Sequence, residues 1–185
     1  MRRQRNLLGP QGMGGMVGLW GASSLIASVQ RGTISLSGSN SGTATIAAVL
    51  TENSVLRMLG NSMNSTQLGK ACTALTLTNS TTITGSVDTA PTPTTTVIGF
   101  EIVEYQAGVV KSVQRTTAFQ TTAVTITTVN TAKSQLHLLG MTDAGTVTAI
   151  APYMPRVTLT NATTVTPTIS AGNSQTTRVQ IVEFY

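Results

Sequence analysis

A nine-residue sequence that occurs twice constrains what this chain can fold into. Residues 76–84 read TLTNSTTIT, and residues 158–166 read TLTNATTVT. Each copy alternates threonine with other residues on both sides of an asparagine, Asn79 or Asn161. Because threonine, valine and isoleucine favour pleated strands and asparagine tolerates a tight turn, each copy predicts a β-hairpin.

Three further landmarks repeat in the same order around the two hairpins. They are SVQR at 28–31 and 112–115, SVLRMLG or SQLHLLG at 54–60 and 134–140, and IVEY or IVEF at 102–105 and 181–184. With the hairpins, the four offsets are 84, 80, 82 and 79 residues, so the copies differ in loop lengths. A repeat of this size indicates two homologous modules, residues 28–107 and 112–185, preceded by the segment 1–27.

Short alternating segments separated by glycine, proline and small polar residues run through both modules. A unit of about 80 residues is large enough to bury a core of its own. The predicted strands are 32–36, 43–49, 55–59, the two arms of 76–84 and 97–105 in the first module, with 124–126, 136–139, the hairpin 157–166 and 178–184 in the second. We therefore predict an all-β chain of two tandem antiparallel β-sandwich modules, with about six short strands in each. The connection 106–111 is too short for a free linker, so we expect the modules to abut, stacked end to end.

The net charge of +5 does not come from a basic patch. Three of the eleven lysines and arginines lie within the first five residues, and the others are scattered singly. Basic residues do not interleave with aromatic residues as they do in a stacking platform for nucleic acid. We therefore expect the modules not to bind nucleic acid.

Residues 1–27 are the least strand-like part of the chain. They start with arginines and continue with a glycine- and methionine-rich run whose apolar stretch is broken by Pro10. So broken a stretch makes a poor signal-peptide core and falls short of the roughly 18 apolar residues of a membrane span, so we expect no membrane insertion.

A glycine-rich segment without a core of its own needs a partner surface to become ordered. We therefore expect residues 1–27 to form an extended arm that anchors the chain to a neighbouring subunit of a larger assembly. A cleaved signal or membrane-surface segment, and packing onto its own module, are the alternatives. The proposed anchoring residues are Arg2, Arg3 and Arg5, which would face acidic groups, and Leu7, Leu8, Met13, Met16, Leu19 and Trp20, which would supply apolar contact.

Residue types that carry catalysis or bind metals are sparse. Cys72 and His137 are the only cysteine and histidine, and they lie in different modules without a motif around either. Glu101 and Glu104 are three residues apart on a strand and face opposite sides, so they cannot flank one glycosidic bond. We expect no catalytic, cofactor or metal site within one chain and predict that the protein is not an enzyme. In a symmetric oligomer, copies of His137 could still meet at an axis and bind an ion or sense pH.

Two carboxylates occupy equivalent places in the two modules. Glu104 lies in IVEY and Glu183 in IVEF. Repetition favours a shared structural role, such as pairing with Arg31 and Arg115 or closing a sheet edge. Cys72 is expected to be a buried or half-buried thiol on the approach to a strand.

The scaffold residues resemble the small β-sandwich modules of tailed-bacteriophage virion proteins, some of which are similar to the six-stranded H-type lectin fold. The matching residues are VQRGT at 29–33, LG at 59–60, LTNSTT at 77–82 and VEY at 103–105. The second module departs at Thr116, where the first has Gly32. The resemblance covers residues 28–185 and implies a virion component, usually trimeric, on a capsid or in a tail or fibre.

From these features we expect a non-enzymatic structural component of a virion that is assembled in the host cytoplasm. Its arm would fix a homotrimer to the capsid surface, as a decoration or head-fibre protein, with the major capsid protein or a tail or neck protein as partner. The alternative is a tail-fibre, collar or receptor-binding protein whose lectin-like module binds a host-surface glycan. Sugar sites commonly offer an aromatic ring, and Tyr153 is the candidate receptor contact because it lies in a loop between two prolines.

Overall fold

The computed structural model describes residues 24–143, 154–169 and 175–185, and these form an all-β, antiparallel structure as predicted. The strands of the first half are β1 (Ile26–Ser37), β2 (Ser41–Thr45), β3 (Ser54–Met63), β4 (Ala74–Asn79), β5 (Thr82–Ser86) and β6 (Thr95–Tyr105). Those of the second half are β7 (Val110–Phe119), β8 (Val124–Thr125), β9 (Ser134–Asp143), β10 (Arg156–Asn161), β11 (Thr164–Thr168) and β12 (Gln175–Phe184). Two 3₁₀ turns, Thr51–Asn53 and Thr131–Lys133, precede β3 and β9, and one short helix, α1 (Leu68–Ala71), lies before β4.

The strands of the two halves are arranged in the same order. Strands β1–β6, here called the first module, form the sheet β1-β6-β3 and the group β2-β5-β4. Strands β7–β12, the second module, form the group β7-β12-β9 and the sheet β10-β11-β8. Neighbouring strands are antiparallel in every one of these pairs.

Each module buries apolar side chains between its two groups of strands. The core of the first module includes Ile34 and Leu56 from one sheet and Leu75 and Ile83 from the other. Alternation along each strand sends these residues to one face, which gives the two-layer architecture of a β-sandwich. Among the described residues, the core of the second module is smaller and is built around Val165, Val179 and Ile181, among others.

Both predicted hairpins are present. The backbone N–H groups of Thr81 and Thr163 donate to the side-chain oxygens of Asn79 and Asn161 at 2.9 and 2.8 Å. An asparagine that accepts from the amide two residues later stabilises the turn itself. The pairs β4–β5 and β10–β11 therefore begin from the same turn chemistry.

The modules lie edge to edge rather than end to end as expected. Strand β4 of the first module neighbours β9 of the second, with Ala74 opposite Gly140, so β2-β5-β4 and β9-β12-β7 form one six-stranded sheet. The connection between modules is a tight turn, closed by a hydrogen bond of 3.2 Å from the Val109 N–H to the Gln106 carbonyl. A turn this short places β7 directly after β6, which brings the two modules into lateral contact.

Candidate functional site

The most elaborate polar site of the described residues lies between the two modules, at Arg115 on β7. Its guanidinium donates to the carbonyl oxygens of Thr51, at 3.2 Å, and Ser54, at 2.6 Å, in the first module. Its Nε donates to Oε1 of Gln180 in the second module at 3.0 Å. Burial lowers the pKa of Arg115 to about 10, so the group is still charged at neutral pH. The arginine therefore binds the first module through a buried, charge-assisted contact.

Gln180 on β12 extends this contact to the start of β3. Its Oε1 accepts from the Leu56 N–H at 3.3 Å, and its Nε2 donates to the Leu56 carbonyl at 3.2 Å. Both residues are fully buried. The side-chain amide thereby satisfies two backbone groups of the other module that would otherwise be buried without partners.

The modules also meet at β4 and β9. Gly140 has a φ of +105°, and a Cβ added there would lie 2.1 Å from the Thr73 carbonyl oxygen. Only glycine allows both this backbone conformation and this approach. The next residue, Met141, donates its N–H to the same carbonyl at 3.0 Å. Leu139, which is 2% exposed, belongs to the apolar core of the first module although it lies on a strand of the second.

Beside this strand contact, Arg178 of the second module donates to the hydroxyl of Thr76 in the first. Burial lowers the pKa of Arg178. Polar and apolar contacts thus alternate along the interface, as they do in stable protein interfaces.

Glu104 and Glu183 have the repeated structural role that the sequence predicts. Glu104 accepts from the Ser28 hydroxyl at 3.0 Å and from the Leu50 N–H at 2.8 Å. Glu183 accepts from the equivalent Ser112 hydroxyl at 3.4 Å and from the equivalent Asn130 N–H at 2.9 Å. Each carboxylate therefore closes the loop that precedes β3 or β9.

The suggested pairing of these glutamates with Arg31 and Arg115 is wrong. Arg31 lies opposite Glu101 in the register of β1 and β6, and its guanidinium contacts that carboxylate at 2.5 Å. Arg57 binds the same carboxylate at 3.2 Å. Glu183 instead pairs with Lys111 at 2.9 Å. The Asn130 N–H, followed by Lys111, lowers the pKa of Glu183 below its ordinary value.

Neither His137 nor Cys72 is exposed: the first is half-buried and the second is buried. His137 is half-buried rather than on an open strand surface, and burial together with the positive charge of Arg57 lowers its pKa. Cys72 is a buried free thiol, as predicted, and burial followed by the negative charge of Asp143 raises its pKa to about 11. A thiol of this kind is a poor nucleophile at neutral pH because little of it is thiolate.

An apolar groove of about 560 Å³ lies along the junction of β3 and β9. Methionines dominate its lining, with Met58 and Met63 from the first module and Met141 and Met154 from the second. Cys72 also lines it. Unbranched methionine side chains can repack around different shapes.

Several residues for which the sequence predicts a binding role lie outside the described part of the chain. They are the nine arm residues Arg2, Arg3, Arg5, Leu7, Leu8, Met13, Met16, Leu19 and Trp20, and the candidate receptor contact Tyr153. Among the described residues, no group of three His, Cys, Asp or Glu side chains is placed to hold a metal ion. No helix in the described ranges is long and apolar enough to cross a membrane.

The contact between the modules was not predicted from the sequence. A signal was nevertheless present in two differences between the copies, because Asn61 of β3 corresponds to Met141 of β9, and Glu101 of β6 to Gln180 of β12. At both places the second module, which contacts the first there, has the less polar residue. Comparison with known proteins gave no matching family model, no matching curated protein and no matching solved structure.

Proposed function

We propose that this protein is a non-enzymatic structural component of a tailed-phage virion. Residues 1–27 anchor it to the capsid surface as a decoration or head-fibre protein, and the β-sandwich modules project from that anchor as a homotrimer. The resemblance of residues 28–185 to virion β-sandwich modules supports the setting, and the arginine-rich, glycine-rich start of the chain supports the anchor.

The observation that carries the proposal is the buried contact between the modules. Arg115 and Gln180 bind backbone groups of the first module, while Leu139 enters its apolar core. A sandwich face used in this way is a protein-binding surface, and it joins the two modules within the chain. Surfaces of this kind suit a virion component, since many copies each contribute a modest contact area to one particle.

The test uses tailed-phage particles from which this protein has been removed. We compare rebinding of the wild-type chain with that of a Leu19→Asp, Trp20→Asp variant, and locate bound protein by electron microscopy. The matched control carries Phe119→Asp and Tyr185→Asp, which likewise replace two apolar residues and lie at exposed positions outside the arm. Binding of wild type and control to the capsid, with loss for the arm variant, is the expected result.

Density at the tail or collar would instead favour a tail-fibre or receptor-binding role. Equal binding of all three chains would contradict the anchoring role of the arm. Absence of wild-type binding anywhere on the particle would contradict the proposed function itself.

A further inference from the structure

Equivalent surfaces of the two modules differ in how far the described residues cover them. The outer face of the second module, which is the side of β7-β12-β9 turned away from its own core, packs against the first module. Val110 of this face is 4% exposed and Leu139 is 2% exposed. Val110 and Val182 share an apolar cluster with Val55 of the first module.

The same face of the first module, on β1-β6-β3, is covered by described residues only in part. Val55 and Val103 are buried there, at 1% and 3% exposure, whereas the three other apolar residues are exposed: Ile26 at 42%, Val29 at 38% and Leu59 at 57%. These three residues correspond in the sequence repeat to Val110, Val113 and Leu139.

The bulged glycine of this face shows the same contrast. Gly60 has a φ of +115°, close to the +105° of Gly140. Gly140 packs against Thr73 and Ala74, whereas a Cβ at Gly60 would meet no described residue within 4 Å. The backbone shape that receives a neighbouring strand edge is therefore present in both modules, but among the described residues a strand edge packs against it in the second module alone.

The open face also carries the equivalent of the interface arginine. Arg31 corresponds to Arg115, and its side chain is 65% exposed. Glu101 holds it in place at 2.5 Å, as Gln180 holds Arg115. The guanidinium of Arg31 is thus positioned to donate to backbone carbonyls of a module lying on this face.

The second module has the surface that would complete such a contact. In the first module, two of the three residues bound by Arg115 and Gln180 are fully buried, Ser54 and Leu56, both at 0% exposure. The equivalent Ser134 and Leu136 are only half-buried, and Gln135 between them is exposed. Strand β10, which corresponds to β4, lies at the edge of its sheet. We call this surface the receiving edge: the turn Thr131–Lys133, the start of β9, and β10.

The residues that differ between the two modules still allow a contact between the outer face of a first module and the receiving edge of a second module. Within the chain, Arg178 lies on the outer face and Ala74 on the edge that it meets. In the equivalent places, the outer face of the first module has Gly99 and the receiving edge has Arg156. At this pair of positions each interface has one arginine, Arg178 on the outer face within the chain and Arg156 on the receiving edge between chains. Glu101 can accept from the Leu136 N–H as Gln180 accepts from Leu56, but it cannot donate to the carbonyl.

We infer that the outer face of the first module binds the receiving edge of a second copy of this chain. The contact repeats between chains the arrangement that Arg115, Gln180 and Leu139 make within one chain. Each copy then has one outer face and one receiving edge to offer, so the association is head-to-tail, which gives a ring where the rotation between copies closes and an open filament where it does not. This inference deepens the proposed function by naming the partner of the modules, but it is tested on purified protein without phage particles, so either proposal can fail alone.

Two full-length variants each block one side of the contact. Leu59→Asp places a carboxylate where a leucine should enter the neighbouring module. Gln135→Arg places a cation on the receiving edge, where it would face Arg31, Val29 and Ile26 of the other chain. Both positions are exposed within one chain, so folding is spared. Phe119→Asp, at a side chain 52% exposed on neither surface, is the matched control. Mass is measured by native mass spectrometry and sedimentation velocity, and folding by thermal melting.

The wild type and Phe119→Asp are expected to have the mass of several copies, and each blocked variant that of one copy. An equimolar mixture of Leu59→Asp and Gln135→Arg is expected to give a two-chain species, because one intact outer face and one intact receiving edge remain. A single-chain mass for the wild type at high concentration would overturn the inference. So would unchanged assembly of either blocked variant, or a mixture that stays single-chain at concentrations well above those at which the wild type assembles.

Discussion

The side chain of Gln180 in the second module hydrogen-bonds both backbone polar atoms of Leu56 in the first module, at 3.3 and 3.2 Å. Gln114 makes the same pair of bonds with Thr127 inside the second module, at 2.7 and 2.9 Å, but at an exposed position. The same pair of side-chain-to-backbone hydrogen bonds thus occurs in two environments. At the interface the bonds satisfy peptide groups that are buried, whereas at Gln114 water can replace the side chain as the hydrogen-bond partner.

Gln180→Met is expected to lower the free energy of unfolding by about 2–4 kcal/mol, because it leaves the Leu56 N–H and carbonyl buried without partners. Urea denaturation checks this value. Gln114→Met is the matched control and is expected to cost no more than about 1 kcal/mol, since water replaces the lost partner there. Equal losses for the two variants would contradict a buried, water-excluding interface at Leu56.

Gly140→Ala should destabilise the protein more than Gly60→Ala does. Both substitutions meet a positive φ, a strain of about 1–3 kcal/mol for a residue with a side chain. At Gly140 the new methyl group would also overlap the Thr73 carbonyl oxygen. We therefore expect Gly140→Ala to lower the free energy of unfolding by about 1–3 kcal/mol more than Gly60→Ala does, because of overpacking.

The comparison is made by urea denaturation of both alanine variants in the Leu59→Asp background, so that association between chains does not contribute. A loss at Gly60 as large as that at Gly140 would mean that the strand contact of Gly140 adds nothing beyond backbone strain.

Local chemistry explains which parts of the fold could be predicted from sequence. The hairpins were predictable because Asn79 and Asn161 need only the amide two residues away. The paired glutamates were predictable as a repeated structural feature, but their partners were not. The register of β1 and β6 places Arg31 opposite Glu101, and this pairing leaves Glu104 to the Ser28 hydroxyl and the Leu50 amide.

The contact between the modules could not be predicted from one copy of the repeat. Arg31 and Arg115 lie in identical SVQR segments, yet the first is exposed beside a carboxylate and the second is half-buried on carbonyls of the other module. The packing of one module on the other distinguishes them, together with the residue opposite each arginine, Glu101 or Gln180. The short helix α1 was missed for a similar reason, because Leu68 is buried against Met141 of the second module rather than by a pattern within its own segment.

Cys72 should resist alkylation in the folded protein. Its pKa is raised from 9.0 to about 11, so at pH 8 the thiolate fraction is roughly 100-fold lower than in the unfolded chain. Burial of the sulfur slows the reaction further. Iodoacetamide labelling followed by mass spectrometry, with and without urea, measures the ratio of rates. A folded rate within about tenfold of the unfolded rate would show that Cys72 is open to solvent through the neighbouring groove.

The substitution Glu183→Gln should lower the free energy of unfolding near neutral pH but have little effect on it in acid. The folded pKa of Glu183 lies below its ordinary value of 4.5 because the Asn130 amide and the Lys111 ammonium bind the carboxylate. A carboxyl group with a depressed folded pKa stabilises the folded state at pH values above the unfolded pKa, and this contribution is lost as pH falls through the folded pKa.

At pH 7 the variant is expected to be about 1–3 kcal/mol less stable than the wild type, the usual range for hydrogen bonds to a charged group. Urea denaturation from pH 7 to pH 3 should show the difference shrinking below about pH 4.5, whereas Glu52→Gln, at an exposed carboxylate, should follow the wild type throughout. A difference that stays constant down to pH 3 would mean that the charge of Glu183 is not what stabilises the loop before β9.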